Sequence, residues 1–253
     1  MFGDVRVAVV IPAYHEARHI GRTVNSVPDW VDRVIVIDDG SNDQTAGAAR
    51  EAGDHRCLVI RHDQNRGVGA AIVTGYDIAF GEGLDIAVVM AGDGQMHPED
   101  LPALVSPVAT GLADYTKGDR FSWPGVREVM PLGRWLGGQV FSWLTRLITG
   151  LSIRDSQCGY TALSRRGAER LDLEALWHGY GYPNDLLARA AEARLIVRDV
   201  QVRPVYQDEQ SGLGLRQVFF VFPRVLFGMW RRRREGQRAP ALSVASRGSS
   251  AAR

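Results

Sequence analysis

The feature that most constrains this chain is an alternation of two periodicities through its first hundred residues. Short β-branched runs at 5–11, 34–37, 57–61 and 86–90 alternate with helix-period stretches at 20–27, 43–52, 68–80 and from Pro98 onward. The unbroken run at 5–11 is what a strand covered on both faces requires. A strand–helix repeat of roughly 25 residues predicts a parallel sheet joined by right-handed crossovers. Ser41 or Asn42 is expected to cap the second helix, and Pro98 to open the helix after the fourth strand. Sheets of this kind bind ligands beyond the carboxyl ends of their strands. Three polar clusters fall there, at 12–16, 38–41 and 93–95.

The second half is less regular. Residues 132–151 read as a helix with Leu132, Trp135, Leu136, Val140, Trp143, Leu144, Leu147 and Ile148 near a 3.6 period. A strand is expected at 160–163, a helix at 185–193 and a strand at 197–202. The run 215–230 is rich in Phe, Val and Leu but is interrupted by Pro223 and Arg224, and it ends in four consecutive arginines from Arg231. It falls short of the ~20 apolar residues that a bilayer span needs. The polar remainder, 235–253, is expected to be disordered. There is no internal repeat.

Composition narrows the classes. With 45% hydrophobic and 23% charged residues, the 253-residue chain is neither a disordered nor a fibrous protein. Two cysteines, Cys57 and Cys158, supply no disulfide framework and no structural zinc site. The net charge of +1 hides an asymmetry: seven Arg and one Glu follow position 230, against 23 basic and 28 acidic residues before it. A mildly acidic body with a basic tail fits anionic lipid better than nucleic acid, and no nucleic acid is expected as a partner. The N-terminus enters an apolar run without a charged n-region and cleavage site, so the expected compartment is the cytosol.

Each polar cluster has a chemical and a plain reading. No Walker loop is present, and Asn65-Arg66-Gly67-Val68-Gly69 is not the dinucleotide fingerprint. Its backbone N–H groups can face an anion, or its glycines can serve a tight turn. The adjacent carboxylates Asp38 and Asp39 repel, and such pairs persist by accepting hydrogen bonds or facing a cation, unless one caps a helix. Asp93-Gly94-Gln95 offers a carboxylate and an amide oxygen to Mg²⁺ or Mn²⁺, or is a simple Asp-Gly turn. Cys158 reads as a small buried residue, since no paired base accompanies it. His97 and His178 read as turn or surface histidines.

Four ordered motifs carry a resemblance. Val9-Val10-Ile11-Pro12-Ala13-Tyr14-His15-Glu16, Val36-Ile37-Asp38-Asp39-Gly40-Ser41, Asn65-Arg66-Gly67-Val68-Gly69-Ala70-Ala71 and Asp93-Gly94-Gln95-Met96-His97-Pro98-Glu99-Asp100 resemble family 2 glycosyltransferases of the GT-A fold. Within that family the chain is most similar to the polyprenyl-phosphate (dolichyl-phosphate) sugar synthases, over roughly residues 5–216. The resemblance implies an α/β fold with a mostly parallel sheet. Residues 1–100 would form a nucleotide-sugar-binding half and 101–214 an acceptor-binding half of one domain. A 215–234 amphipathic helix and a 235–253 tail would follow.

It also implies roles. Pro12, Ala13, Tyr14, Glu16, Asp38 and Gly67 would line the nucleoside pocket, with Asp39 hydrogen-bonding base or ribose. Asp93 and Gln95 would hold Mg²⁺ or Mn²⁺ against the donor diphosphate. The family usually has Asp-X-Asp, and here Ala91 stands at the first position. Lys117-Gly118-Asp119-Arg120 sits where relatives using lipid phosphates place a basic residue after the fifth strand. Arg120 and Arg134 are therefore candidates for the acceptor phosphate, because a guanidinium matches phosphate in bidentate fashion. Asp155-Ser156-Gln157-Cys158-Gly159-Tyr160 matches a segment near the sugar, and Asn184-Asp185 sits where inverting members carry an acidic residue facing the acceptor.

The reading is sugar transfer from a UDP- or GDP-linked donor to a polyprenyl phosphate, with inversion, at the cytoplasmic face of the membrane. An acceptor phosphate is already ionised near neutrality, with a second pKa of about 6, so it needs positioning more than a base. The alternative is a soluble glycan or small-molecule hydroxyl acceptor, with Asp185 as general base. A non-catalytic nucleotide-sugar-binding protein is the remaining reading, suggested by Ala91. The 215–234 segment is expected to lie in the plane of an anionic membrane surface, or else to pack on the domain or in a homo-oligomer interface.

Overall fold

The structure, a computed structural model, describes residues 2–206 and four further positions, Arg224, Phe227, Gly228 and Arg231, which are helical. The expected 215–234 helix and 235–253 tail otherwise lie outside the described residues.

Seven strands form one sheet: β1 (Val7–Ala13), β2 (Arg33–Asp38), β3 (Cys57–Arg61), β4 (Ile86–Val89), β5 (Tyr115–Asp119), β6 (Thr161–Ser164) and β7 (Val197–Gln201). Their order is β3-β2-β1-β4-β6-β5-β7. The first four run parallel, as the strand–helix repeat requires, and β6 lies antiparallel between β4 and β5. The fold is the expected mixed α/β sheet, mostly parallel and flanked by helices. The helices are α1 (Ile20–Ser26), α2 (Thr45–Ala52), α3 (Val68–Gly81), α4 (Leu101–Ala109), α5 (Val126–Val129), α6 (Leu132–Thr149), α7 (Arg165–Ala168) and α8 (Tyr182–Glu192).

Two apolar layers sandwich the sheet. Odd positions of β1 (Val7, Val9, Ile11) pack with α1 and α4, while Ala8 and Val10 pack with α3 and α8. β1 runs two residues further than the hydropathy pattern suggests. Pro12 is tolerated there because pairing with β4 has already ended at Val10. α2 is a correction: neither Ser41 nor Asn42 caps it, and Gln44 holds the cap position without a side-chain bond. The Ser41 Oγ instead accepts the His15 N–H at 2.9 Å, which ties the β2 turn to the β1 turn.

Two second-half elements escape the hydropathy pattern. β5 is Tyr-Thr-Lys-Gly-Asp and is buried along its whole length, so its polar residues disguise a central strand. α6 has the expected apolar stripe, but facing outward. Its buried residues are Gly138, Ser142 and Thr145. Leu132, Leu136, Val140, Trp143 and Leu147 are each between 50% and 64% exposed. The inward face is small because Gly138 meets the Phe121 ring, where a Cβ would lie 2.6 Å from Cζ, and because Thr145 accepts from buried Asn184 of α8 at 2.5 Å.

Candidate active site

The three polar clusters converge at the carboxyl edge of β1, β2 and β4. Asp38 ends β2 beside Ala13, and the Asp39 N–H donates to the Ala13 carbonyl at 2.9 Å. The Gly92 N–H donates to the Pro12 carbonyl at 3.2 Å, bringing the β4 turn against the same residues. Asp93 Oδ1 accepts the Gln95 N–H at 2.9 Å, which folds the carboxylate and the amide into one turn. Above this edge the Tyr14 ring, 45% exposed, stacks on His15 with centroids 4.0 Å apart. His15 is held at φ 59°, and its backbone is fixed by Ser41. The Glu16 N–H donates to Thr45 Oγ1 at 2.8 Å, and its Oε2 lies 3.0 Å from His19 Nδ1.

The paired carboxylates divide the work of bracing this edge, and neither caps α2. Asp38 Oδ1 accepts the Ser41 N–H at 3.0 Å, and its Oδ2 lies 3.5 Å from Arg61 Nε. Asp39 accepts the N–H groups of Arg66 at 2.9 Å and Gly67 at 2.7 Å, and His62 Nδ1 lies 2.7 Å from its Oδ1. Those bonds spend the Gly67 N–H inside the protein. The Gly69 N–H is spent as well, donating to the His178 carbonyl at 2.6 Å. A Cβ on Gly67 or Gly69 would collide with the Trp177–His178 backbone, so close approach of that chain is what demands glycine here.

The loop that makes this approach is itself anchored by Asp185. Asp185 Oδ2 accepts the Trp177 N–H at 2.9 Å and pairs with Arg189 Nε at 3.0 Å. Asp185 therefore sits on the first turn of α8 and clamps the segment that touches the glycine turn. Neighbouring Asn184 is fully buried, accepting from Gln157 Nε2 at 2.7 Å and donating to Thr145.

A second polar cluster lies where β5 ends. Arg120 pairs in bidentate fashion with Asp155, at 2.7 Å from Nε to Oδ2 and 3.1 Å from Nη2 to Oδ1. Burial works against both charges, but each holds the other ionised: the guanidinium lies above its ordinary range and the carboxyl below its own. Asp155 also accepts the N–H groups of Gln157 and Cys158, each at 3.1 Å. Lys117, the chain's single lysine, is fully buried and donates to the Cys158 carbonyl. Burial pushes its pKa down. Across the ladder is Asp199, whose carboxyl is pushed up to about 6 by burial. Cys158 is buried, and burial raises its thiol pKa, which suits a packing role. Arg134 stands over the Tyr206 ring at 5.2 Å, and the Tyr206 hydroxyl feels the charges of both Arg120 and Arg134.

The profile described as Glycosyl transferase family 2 matches residues 8–171 of this chain. The chain belongs to glycosyl transferase family 2. Among curated relatives, the UDP-N-acetylglucosamine–dolichyl-phosphate N-acetylglucosaminyltransferase of Methanococcus voltae is 29% identical, covering 88% of this chain and 96% of that one. The undecaprenyl-phosphate mannosyltransferase of Micrococcus luteus is 32% identical, covering 82% and 86%. The polyprenol monophosphomannose synthase of Mycolicibacterium smegmatis is 31% identical, covering 85% and 84%. The fold is shared with glucosyl-3-phosphoglycerate synthase of Mycobacterium tuberculosis, solved with Mn²⁺, UDP and phosphoglyceric acid. That likeness has a TM-score of 0.70 at 22% identity, covering 90% of this chain and 78% of that one.

For this glycosyltransferase the donor set fits a cation that brings most of its own shell. Among the described residues no group of three or more His, Cys, Asp or Glu could hold a metal ion. Asp93 and Gln95 supply one carboxylate and one amide oxygen, which suits Mg²⁺ or Mn²⁺ carrying diphosphate oxygens and water. Sequence reasoning missed Asp155 as the partner of Arg120, Tyr206 beside Arg134, and His62 behind Asp39. Those partners lie 35, 72 and 23 positions apart, and no local spacing announces them.

Proposed function

We propose that this glycosyltransferase moves a sugar from a nucleoside diphosphate sugar to a polyprenyl phosphate, with inversion, on the cytoplasmic face of a membrane. The observation that carries the reading is the cluster of Arg120, Asp155, Tyr206 and Arg134 in the acceptor half. Asp155 takes two of the five guanidinium donors of Arg120, which leaves others for a phosphate. The similarity to enzymes named for dolichyl, polyprenol and undecaprenyl phosphate supports the same acceptor class.

In this reading Tyr14 offers its exposed ring to the base. Pro12, Ala13, Glu16, Asp38 and Asp39 shape the nucleoside pocket around it. Gly67 serves by letting the turn close, since its N–H is already held. Asp93 and Gln95 would hold Mg²⁺ or Mn²⁺, which supplies positive charge to the departing diphosphate. Arg120 and Arg134 orient the acceptor phosphate. One of its oxygens attacks the anomeric carbon from the face opposite the leaving diphosphate. The bond from that carbon to the diphosphate oxygen breaks, and the nucleoside diphosphate leaves with the electron pair. No proton has to be removed, so Asp185 acts by clamping the Trp177 segment. A hydroxyl acceptor would need a base, and the contacts of Asp185 with Trp177 and Arg189 do not favour that role. The 215–234 run would hold the enzyme on the anionic membrane surface.

The test is incubation with labelled UDP- and GDP-sugars, a polyprenyl phosphate and Mg²⁺ or Mn²⁺, followed by extraction into organic solvent. Label should enter the organic phase, and Asp93→Asn should lower its rate by about a hundredfold or more while the melting temperature holds. Label confined to water for every donor would sink the lipid-phosphate reading. Full activity of Asp93→Asn at saturating metal would remove the metal assignment.

A further inference from the structure

One buried titratable side chain at the donor edge takes no part in the proposed transfer. Among residues 61–66 every side chain is exposed except His62, which is 8% exposed. Burying an imidazole in a turn costs solvation that its contacts have to offset. The His62 backbone N–H donates to the Asp38 carbonyl at 2.9 Å, one residue past the end of β3. From that fixed point the ring reaches Asp39, with Nδ1 2.7 Å from Oδ1, while Nε2 lies 3.1 Å from Thr74 Oγ1 on α3. Both ring nitrogens are therefore held, one by the turn after β2 and one by a helix.

Counting hydrogens gives the direction of the Asp39 contact. Two backbone N–H groups already point at this carboxylate, Arg66 on Oδ1 and Gly67 on Oδ2. It acts as an acceptor, so the hydrogen between the two side chains lies on Nδ1. An ionised carboxylate has about four acceptor positions. His62 and Arg66 fill both on Oδ1, and Gly67 fills one on Oδ2. One position on Oδ2 remains.

We infer that His62 is a positioning residue for nucleotide recognition. By saturating Oδ1 it fixes the plane of the Asp39 carboxylate and leaves Oδ2 to receive one hydroxyl or N–H of a nucleoside. Without the imidazole, Oδ1 would keep only the N–H of Arg66, an exposed turn residue, and the carboxylate could turn about its Cβ–Cγ bond. The role rests on the placement of Asp39 in the nucleoside pocket. It confines the influence of His62 to the nucleoside part of the donor, since the diphosphate is assigned to the turn of Asp93 and Gln95.

The test is calorimetric binding to the full chain, with Mg²⁺, of whichever of UDP and GDP binds more tightly, and of inorganic diphosphate. His62→Asn places an amide near the former Nδ1 and keeps a donor for Asp39. His62→Gln places it near the former Nε2, toward Thr74, and withdraws that donor. Both variants lose the ring, so a packing role would affect them alike. The Gln variant should bind the nucleoside diphosphate about tenfold more weakly, and the Asn variant should stay within about threefold of wild type. Diphosphate affinity should be the same in all three. Equal nucleotide affinities for the two variants, or a matching loss for diphosphate, would overturn the inference.

A second measurement uses the wild-type chain and does not depend on either variant folding. NMR of isotope-labelled histidine should place a hydrogen on Nδ1 of His62, with signals that move on adding the nucleotide and not on adding diphosphate. A bare Nδ1, or signals that ignore the nucleotide, would overturn the inference as well. Undiminished nucleotide affinity in Asp39→Asn, or a wild-type chain that binds neither nucleotide, would sink the pocket reading and the role of His62 together. A weakened Asp39→Asn beside an unaffected His62→Gln would sink the role of His62 alone.

Discussion

The two halves of the site are braced by different kinds of contact. In the donor half, carboxylates are satisfied by backbone N–H groups of nearby turns: Asp38 by Ser41, Asp93 by Gln95, and Asp39 by Arg66 and Gly67. In the acceptor half the braces join side chain to side chain among buried and half-buried residues: Arg120 with Asp155, Gln157 with Asn184, and Asn184 with Thr145. Loss of Asp39 or Asp93 leaves N–H groups of exposed or half-buried turn residues, which water can reach, although the Ser41 N–H held by Asp38 is buried. Loss of the fully buried Asp155 leaves the half-buried Arg120 guanidinium without its bidentate partner, where water has only partial access. The donor edge is thus the adaptable half, and the acceptor half is rigid but brittle.

The largest expected effect follows from that brittleness. Asp155→Ala takes a fully buried carboxylate from the half-buried Arg120 guanidinium and from the N–H groups of Gln157 and Cys158, and should cost about 3 kcal/mol in urea unfolding. A loss below about 1 kcal/mol would place the pair among ordinary surface bridges and erase the contrast. In the donor half, Asp39→Ala should cost less, about 2 kcal/mol, because it strips charge-assisted bonds from a partly exposed turn. Its clearer signature should be local: faster amide exchange at Arg66 and Gly67, with a raised donor KM. A global loss equal to that of Asp155→Ala would show that the two halves share one kind of brace.

The smallest effect is a pH dependence. The Asp199 carboxyl is raised from 3.8 to about 6, chiefly by burial. The folded state therefore binds its proton more tightly than the unfolded chain does. Stability from this group is complete below 3.8 and is lost as pH rises through about 6. Asp199→Asn should flatten that decline, which thermal unfolding across the interval would show. A decline that persists in the variant would assign it to other groups.

The contrast also explains what could be read early. The sheet's first four strands are legible because β-branched runs and helix periods alternate without interruption. The donor residues are legible because turn chemistry is local: Asp-Gly and Gly-x-Gly announce themselves within a few positions. β5 is hidden because Thr116, Lys117 and Asp119 are buried, their polar atoms met by the Leu104 carbonyl of α4, the Cys158 carbonyl and the N–H groups of Phe121 and Ser122. α6 shows the harder limit. Its 3.6 period is plain, yet the period says only that one face differs from the other. Which face turns inward was settled by Phe121, Ser156 and Asn184, which accept only small or hydroxyl-bearing neighbours.

The amino-acid order by itself determined the alternation that makes a parallel sheet, the edge where ligands gather, and the family motifs on that edge. Those depend on hydropathy period and turn geometry, which act over a few residues. Only the tertiary structure decided that Asp39 spends its oxygens on the glycine turn, that Asp185 clamps a loop, and that Arg120 is held by Asp155. It also decided that the apolar stripe of α6 faces out. A side chain's protonation, partners and exposure are set by whatever the folded chain brings within a few ångströms, and no local pattern encodes a neighbour dozens of positions away.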